Sequence, residues 1–209
     1  MVISLLLSAI RIQVLVLKVV AANILNWTAR NFAVGGSKMS DIPRQLTNAA
    51  ASLKNATHVM FTTGGNDLGV ADALLAVIFE NNVTGVEAKI TSLKPELVET
   101  YQKIKAAARP GTKIYAVPYV DFVSVGHKIP NEDSCHQVLA FLDQTVQDAA
   151  TEAQIDYIAP VKGAFLGHEM FSADPYVSSF FDTKNAAHPN VQGYAKIGQV
   201  VAAYIAPKP

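Results

Sequence analysis

The twelve residues HVMFTTGGNDLG, positions 58–69, decide the fold. His58 to Thr63 is a short apolar run bounded by turn residues and too brief for a helix, so it reads as a buried strand. It breaks at Gly64-Gly65-Asn66-Asp67, and a helical pattern resumes from Val70 to Glu80. Upstream, a short apolar run from Asn31 to Val34 ends at Gly35-Gly36. Ser40-Asp41-Ile42-Pro43 then offers N-cap residues and an early proline, opening a helix through Leu53. Downstream, a helix is expected from Pro95 to Ala108, closed by Pro110-Gly111, followed by a strand from Lys113 to Pro118. Val138, Leu139, Leu142, Val146 and Ala149 recur near the helical period, so Gln137–Ala153 reads as a helix. A short strand at Ile155–Ala159 and a helix at Gln192–Tyr204 follow. Strands alternating with helices of this length imply one α/β domain, with a parallel sheet and helices on both faces.

Composition narrows the class. The chain has 209 residues, enough for one core, and at 50% hydrophobic and 16% charged it is not a disordered chain. Its 17 basic and 17 acidic residues balance, so it lacks the electrostatic footprint of a nucleic-acid binder. Cys135 is the single cysteine, which excludes an intramolecular disulfide framework and a zinc–cysteine cluster. Residues 1–22 form an apolar stretch interrupted by Arg11 and Lys18. Two internal cations make it a poor membrane span. As a signal peptide it lacks a basic start and carries Lys18 where the cleavage region should be uncharged. The alternatives are a targeting segment or a buried strand or helix of the fold, and the domain proper is taken as residues 23–209.

In a parallel sheet, ligands bind beyond the carboxyl ends of the strands. Gly35-Gly36-Ser37 and Gly64-Gly65-Asn66-Asp67 are therefore the loops that matter, either as tight turns or as backbone that approaches a bound oxygen. TTGGNDLG has its glycines at the wrong offsets for a dinucleotide fingerprint, and no phosphate-binding P-loop occurs, so no nucleotide cofactor is expected. His168-Glu169 does not extend to a zinc-protease motif, because Ser172 takes the last position; no metal is expected. His58 and His127 have no partners at ligand spacing. Cys135 beside His136 could suggest a thiol nucleophile, but a lone cysteine near a helix start reads as inert. Asn26, Asn55 and Asn82 each open a glycosylation sequon, which fits an extracellular protein; a cytoplasmic one is the alternative if the N-terminal segment belongs to the fold.

NFAVGGSK, FTTGGNDLG and AAHPNVQGY, in that order, resemble the second, third and fifth sequence blocks of the SGNH (GDSL) hydrolases, from about Asn31 to Ala203. GHEMFSADPYV before the last block is similar to the secreted esterase and lipase branch. The resemblance implies a three-layer α/β/α sandwich with a parallel, flavodoxin-like sheet. It also implies hydrolysis of carboxylic esters, with a small-molecule, glycan or lipid ester as substrate. It assigns the Gly36 N–H and the Asn66 amide to the oxyanion hole and His188 to the general base, with Asp67 bracing the loop. The loop from Val120 to Ser134 would line the substrate pocket.

Two positions depart from the family pattern. Where an aspartate usually stands three residues before the histidine, this chain has Asn185, whose main-chain oxygen can orient the imidazole; Asp182 is a looser candidate. The Gly-Asp-Ser block with the nucleophile is absent. Ser8, like Ser4, lies in VISLLLSAIR without the flanking glycine and aspartate, and Ser37 has Met39 where a nucleophile elbow needs glycine. The first strand is therefore expected to be missing or replaced. The chain is then an impaired or inactive ester hydrolase with Ser8 as the candidate nucleophile, a non-catalytic glycan- or lipid-binding relative, or a truncated gene-model fragment.

Overall fold

A computed structural model of the chain describes residues 2–7 (as backbone), 20–179 and 187–207. Its sheet contains β1 (Val2–Leu7), β2 (Thr28–Asn31), β3 (Ala56–Thr62), β4 (Lys113–Ala116) and β5 (Asp156–Tyr157), in the order β2-β1-β3-β4-β5. Every pairing is parallel. Of the two expectations for the first strand, replacement holds: Val2–Leu7 fills the position between β2 and β3, with Leu5 opposite Asn31 and Leu7 opposite Thr62.

The helices are α1 (Ile42–Leu53), the single turn α2 (Gly65–Leu68), α3 (Val70–Glu80), α4 (Val83–Ala107), α5 (Glu132–Glu152) and α6 (Val191–Ile205). Residues 20–25 are also helical. Successive side chains of a strand point to opposite faces, and the packing follows that rule. Phe61 of β3 meets Tyr101 of α4 edge to face, with ring centroids 5.0 Å apart, while Tyr115, paired with Met60 in register, meets Tyr204 of α6. Helices α1, α4 and α5 pack together on one side and α6 covers the other, which makes the three layers. Both sides of β3 are therefore dry: Val59, Met60 and Phe61 are all buried. Burying a side chain of that size stabilises the fold by about 1.5–3 kcal/mol.

Two helices start earlier than their sequence pattern suggested. α4 begins at Val83 rather than Pro95, because the Asn82 Oδ1 accepts the Gly85 N–H and nucleates the helix there. Pro95 then lies inside the helix on an exposed face, where the carbonyl it leaves without an amide partner can reach water. α5 begins at Glu132 rather than Gln137, because the Glu132 carboxylate ties down the preceding loop. At the other extreme, β5 keeps only two residues of the strand expected from Ile155 to Ala159, since the chain turns at once into the 3-10 segment Ala159–Gly163.

Among the described residues no helix is long and apolar enough to cross a membrane. Asn82→Ala removes the cap on the longest helix and is expected to destabilise the protein by about 1 kcal/mol. That corresponds to a fall of roughly 2–4 °C in melting temperature for a domain of this size, measured by circular dichroism.

Candidate active site

Two loops at the carboxyl edge of the sheet are stitched together. After β2 the chain turns at Val34, whose carbonyl accepts both the Ser37 N–H (3.3 Å) and the Ser37 hydroxyl (2.7 Å). Gly36 sits in this turn at φ +76°, a conformation that side chains other than glycine rarely adopt, and it is exposed. Ser37 is buried; its hydroxyl accepts from the Gln45 Nε2 of α1 at 2.9 Å, and its carbonyl accepts from the Asn66 Nδ2 at 2.8 Å. Both carboxylate oxygens of Asp67 accept the Met39 N–H, at 3.1 and 3.2 Å. Gly36 and Asn66, 30 positions apart in sequence, are thus held side by side through Ser37.

The glycines before Asn66 are there for a steric reason. Gly64 turns the chain at φ +101°, and Gly65 donates its N–H to the Tyr119 hydroxyl at 2.7 Å. A Cβ on Gly65 would lie 2.5 Å from that hydroxyl oxygen. Burial holds the Tyr119 phenol well above its ordinary range, against the Gly65 hydrogen bond, and Asp67 and Tyr194 nearby add to the rise. Tyr119 is a residue that sequence reasoning missed. It anchors the Asn66 turn through Gly65, and only the over-small residue at position 65 hinted that something large lay opposite.

His188 lies between two anchors. Its carbonyl accepts the Ser178 N–H at 2.9 Å, and the adjacent Pro189 forms an antiparallel bridge with Val177. Asn190 donates its N–H to the Tyr176 carbonyl at 2.9 Å and its Nδ2 to the Pro175 carbonyl at 2.7 Å. Its Oδ1 caps α6 by accepting the Gly193 N–H at 2.9 Å. Gly193 permits this close approach, since a Cβ there would lie 2.1 Å from the Tyr176 carbonyl oxygen. The HPN sequence is therefore a helix cap that fixes the histidine backbone at the same edge as the glycine loops. Ser8, Asp182 and Asn185 lie outside the described residues.

The loop after β4 and the first turns of α5 together form a second histidine constellation. His136 Nδ1 lies 2.7 Å from Asp121 Oδ2 and its Nε2 lies 3.0 Å from the Ser124 carbonyl. A carbonyl only accepts, so Nε2 carries a proton; a carboxylate at Asp121 calls for a second proton on Nδ1, and the geometry suits an imidazolium. Burial is the largest single influence and opposes that charge, but the Asp121 hydrogen bond and charge, the Ser124 carbonyl and Glu132 together outweigh it, and the pKa is raised. Glu132 in turn accepts from the Ser124 hydroxyl and from the His127 and Lys128 N–H groups.

The remaining side chains singled out in the sequence take structural places. Cys135 is buried, and burial, then Glu132 and Asp121, pushes its thiol up to about 11. His168 stacks on Tyr176 at 3.7 Å and contacts the Asp174 carbonyl. His58, near the opposite end of β3, stacks between Trp27 and Tyr115. Asn26, Asn55 and Asn82 are exposed, and Asn82 also serves as the α4 cap. Among the described residues no group of three or more His, Cys, Asp or Glu side chains is placed to hold a metal ion.

The sequence profile of the GDSL-like Lipase/Acylhydrolase family matches residues 15–196. No curated protein matches the sequence at a significant level. Among solved structures, phospholipase A1 from Streptomyces albidoflavus NA297 superposes with a TM-score of 0.79 at 19% identity, covering 97% of this chain and 98% of that one. The extracellular lipase from Streptomyces rimosus gives 0.74 at 20% identity, with 99% of each chain covered. The lipase Lip_vut3 from a goat rumen metagenome gives 0.68 at 16%, covering 97% and 96%. These likenesses establish a shared fold.

Two outcomes follow from this geometry. Asp67→Ala leaves the Met39 N–H without its acceptor and should destabilise the protein by about 1–3 kcal/mol in urea unfolding. The raised His136 pKa makes its contribution to stability complete below the unfolded value of about 6.5 and lost as pH rises through the folded value. The melting temperature should therefore fall as pH rises above about 6.5 more steeply in the parent than in His136→Asn, in a thermal scan across pH.

Proposed function

The chain belongs to the GDSL-like lipase/acylhydrolase family, and on that premise we propose that it cleaves carboxylic esters with His188 as general base and the Gly36 N–H and Asn66 amide as oxyanion donors. As a member of that family it is a hydrolase of the esterase or lipase type. The observation that carries the reading is the double stitch between the loops, Asn66 Nδ2 to the Ser37 carbonyl and Asp67 to the Met39 N–H. It fixes the Asn66 side chain beside the neighbour of Gly36, and an amide N–H is a donor of the kind an oxyanion needs.

The nucleophile assigned is Ser8, the residue that follows β1 directly in the chain. β1 ends opposite Thr62, shortly before Gly64. In the reaction the Ser8 hydroxyl oxygen attacks the ester carbonyl carbon while His188 accepts its proton. The carbonyl oxygen becomes an oxyanion facing the Gly36 and Asn66 donors. Collapse breaks the acyl–oxygen bond, and the imidazolium returns the proton to the leaving alkoxide. Water, activated by the same base, then releases the acid from the acyl-serine. The Asn185 main-chain oxygen would orient the imidazole, with Asp182 as the alternative. Leu6 and Leu7 stand where the family motif has glycine and aspartate, and this favours a second reading in which the cleft binds a glycan or lipid ester without turning it over.

The S. albidoflavus neighbour is a phospholipase A1 and the S. rimosus neighbour an extracellular lipase. With three exposed sequons, they support a lipid ester as substrate and an extracellular location. Turnover of p-nitrophenyl butyrate should be lost in Ser8→Ala and in His188→Ala, and Asn66→Ala should lower kcat by roughly 10²–10³. A fluorophosphonate should label Ser8, as read by mass spectrometry. An adduct on a different serine refutes the Ser8 assignment, and neither adduct nor turnover in a cooperatively folded sample leaves the binding reading.

A further inference from the structure

A cavity of about 340 Å³ lies between the loop after β4, helix α5 and the segment after β5. That volume falls in the range of pockets that take small ligands. Tyr119, Val120, Leu139 and Leu166 make much of its wall apolar, and none of Gly36, Asn66 and His188 lines it. Its walls are tied to one another. The Asp121 N–H donates to the Lys162 carbonyl at 3.0 Å, and the Met170 N–H to the Phe122 carbonyl at 3.0 Å. The Lys128 Nζ donates to the Phe171 carbonyl at 2.7 Å. A space held in this way is shaped before anything enters it.

Among the described residues, Asp121, His136, Asp143, Lys162 and Glu169 bring charge to the cavity, and four of the five answer one another. Asp121 Oδ2 lies 2.7 Å from His136 Nδ1. Asp143 Oδ2 lies 3.6 Å from Lys162 Nζ, and its Oδ1 accepts the Tyr157 hydroxyl. Glu169 is left over. It is only 8% exposed, and its Oε1 accepts the Gly167 N–H at 2.9 Å. Its Oε2 has no partner among the described residues and opens onto the cavity. No Lys, Arg or His of the described chain pairs with it. A buried carboxylate without a counter-charge is destabilising, and a positively charged donor from outside the chain removes that cost.

We propose that this cavity binds a small primary amine with an apolar body, the ammonium against Glu169 Oε2 and the body along Val120, Leu139 and Leu166. The two internal pairs leave one negative charge, which calls for one positive charge. A free carboxylate oxygen accepts a hydrogen bond, which a primary ammonium donates and a quaternary one does not. A metal ion would need several oxygen or nitrogen ligands at once. Among the described residues no three His, Cys, Asp or Glu side chains are placed to supply them. The apolar wall selects an amine that carries carbon over a bare ammonium ion. This site stands apart from ester hydrolysis and does not depend on it.

Isothermal titration of the full chain with hexylamine tests the site. Binding should saturate at a single site, and hexan-1-ol, with the same body and no charge, should bind about tenfold more weakly or worse. Glu169→Gln keeps an oxygen for the Gly167 N–H but removes the charge, and should weaken hexylamine about ten- to hundredfold. Ala140 is an exposed residue of α5 at the cavity wall. Ala140→Phe puts a ring into the space with Glu169 still in place, and should abolish binding. Failure of hexylamine to bind, equal affinity for the alcohol, or unchanged binding in Ala140→Phe overturns the proposal. Unchanged affinity in a Glu169→Gln sample with the circular dichroism of the parent overturns it as well. If that variant does not fold, the alcohol comparison and Ala140→Phe decide.

Discussion

Parallel pairing sends every strand-to-helix connection to the same edge of the sheet, and this site exists because β1, β2 and β3 obey that constraint in register. Leu5 opposite Asn31 and Leu7 opposite Thr62 bring the ends of three strands near one level. The loops that leave β2 and β3 then have no room to diverge. They meet as a bonded pair, in which the Asp67 carboxylate accepts the Met39 N–H and the Asn66 amide donates to the Ser37 carbonyl. Gly36 and Gly64 supply the left-handed turns that let the two backbones approach. Without β1 between them, β2 and β3 would lack a common neighbour, and this stitch would lose its foundation.

Much of the frame could be read before any coordinates, because its signals are local. The apolar run at His58–Thr63, the proline at the start of α1 and the helical periodicity of α3 and α6 each arise within a few residues of the element they specify. Boundaries slipped where two local signals competed. Pro95 is a good first helical residue, but Asn82 is a better cap and acts earlier in the chain, so the helix was already formed when it reached the proline. The order of the three glycine and HPN segments was legible through resemblance. What they grip was not. Tyr119 reaches Gly65 across 54 positions, and His136 reaches Asp121 across 15 from a different element. No periodicity encodes such contacts; the tightness at Gly65 is their only local trace. Of the N-terminal stretch, whose two cations make it a poor membrane span in sequence, β1 accounts for residues 2–7.

The polar and apolar halves of the carboxyl edge divide the labour between inside and outside. Inside, hydrogen bonds set position even at a cost. Gln45 gives its amide to the Ser37 hydroxyl, while its Oε1 is buried and finds no partner among the described residues. Leaving a buried carbonyl unpaired destabilises a fold by about 1–3 kcal/mol, and here the loss falls on the side chain that holds the turn of Gly36. Outside, the same backbone carries Val34, Phe79, Leu166 and Val191 into solvent. A loop fastened by Glu132, His136, Asn131 and Lys128 at once cannot swing as a lid without breaking several bonds together. The same hydrogen bonds that hold the Gly36 and Asn66 turns in place thus leave these loops a fixed shape.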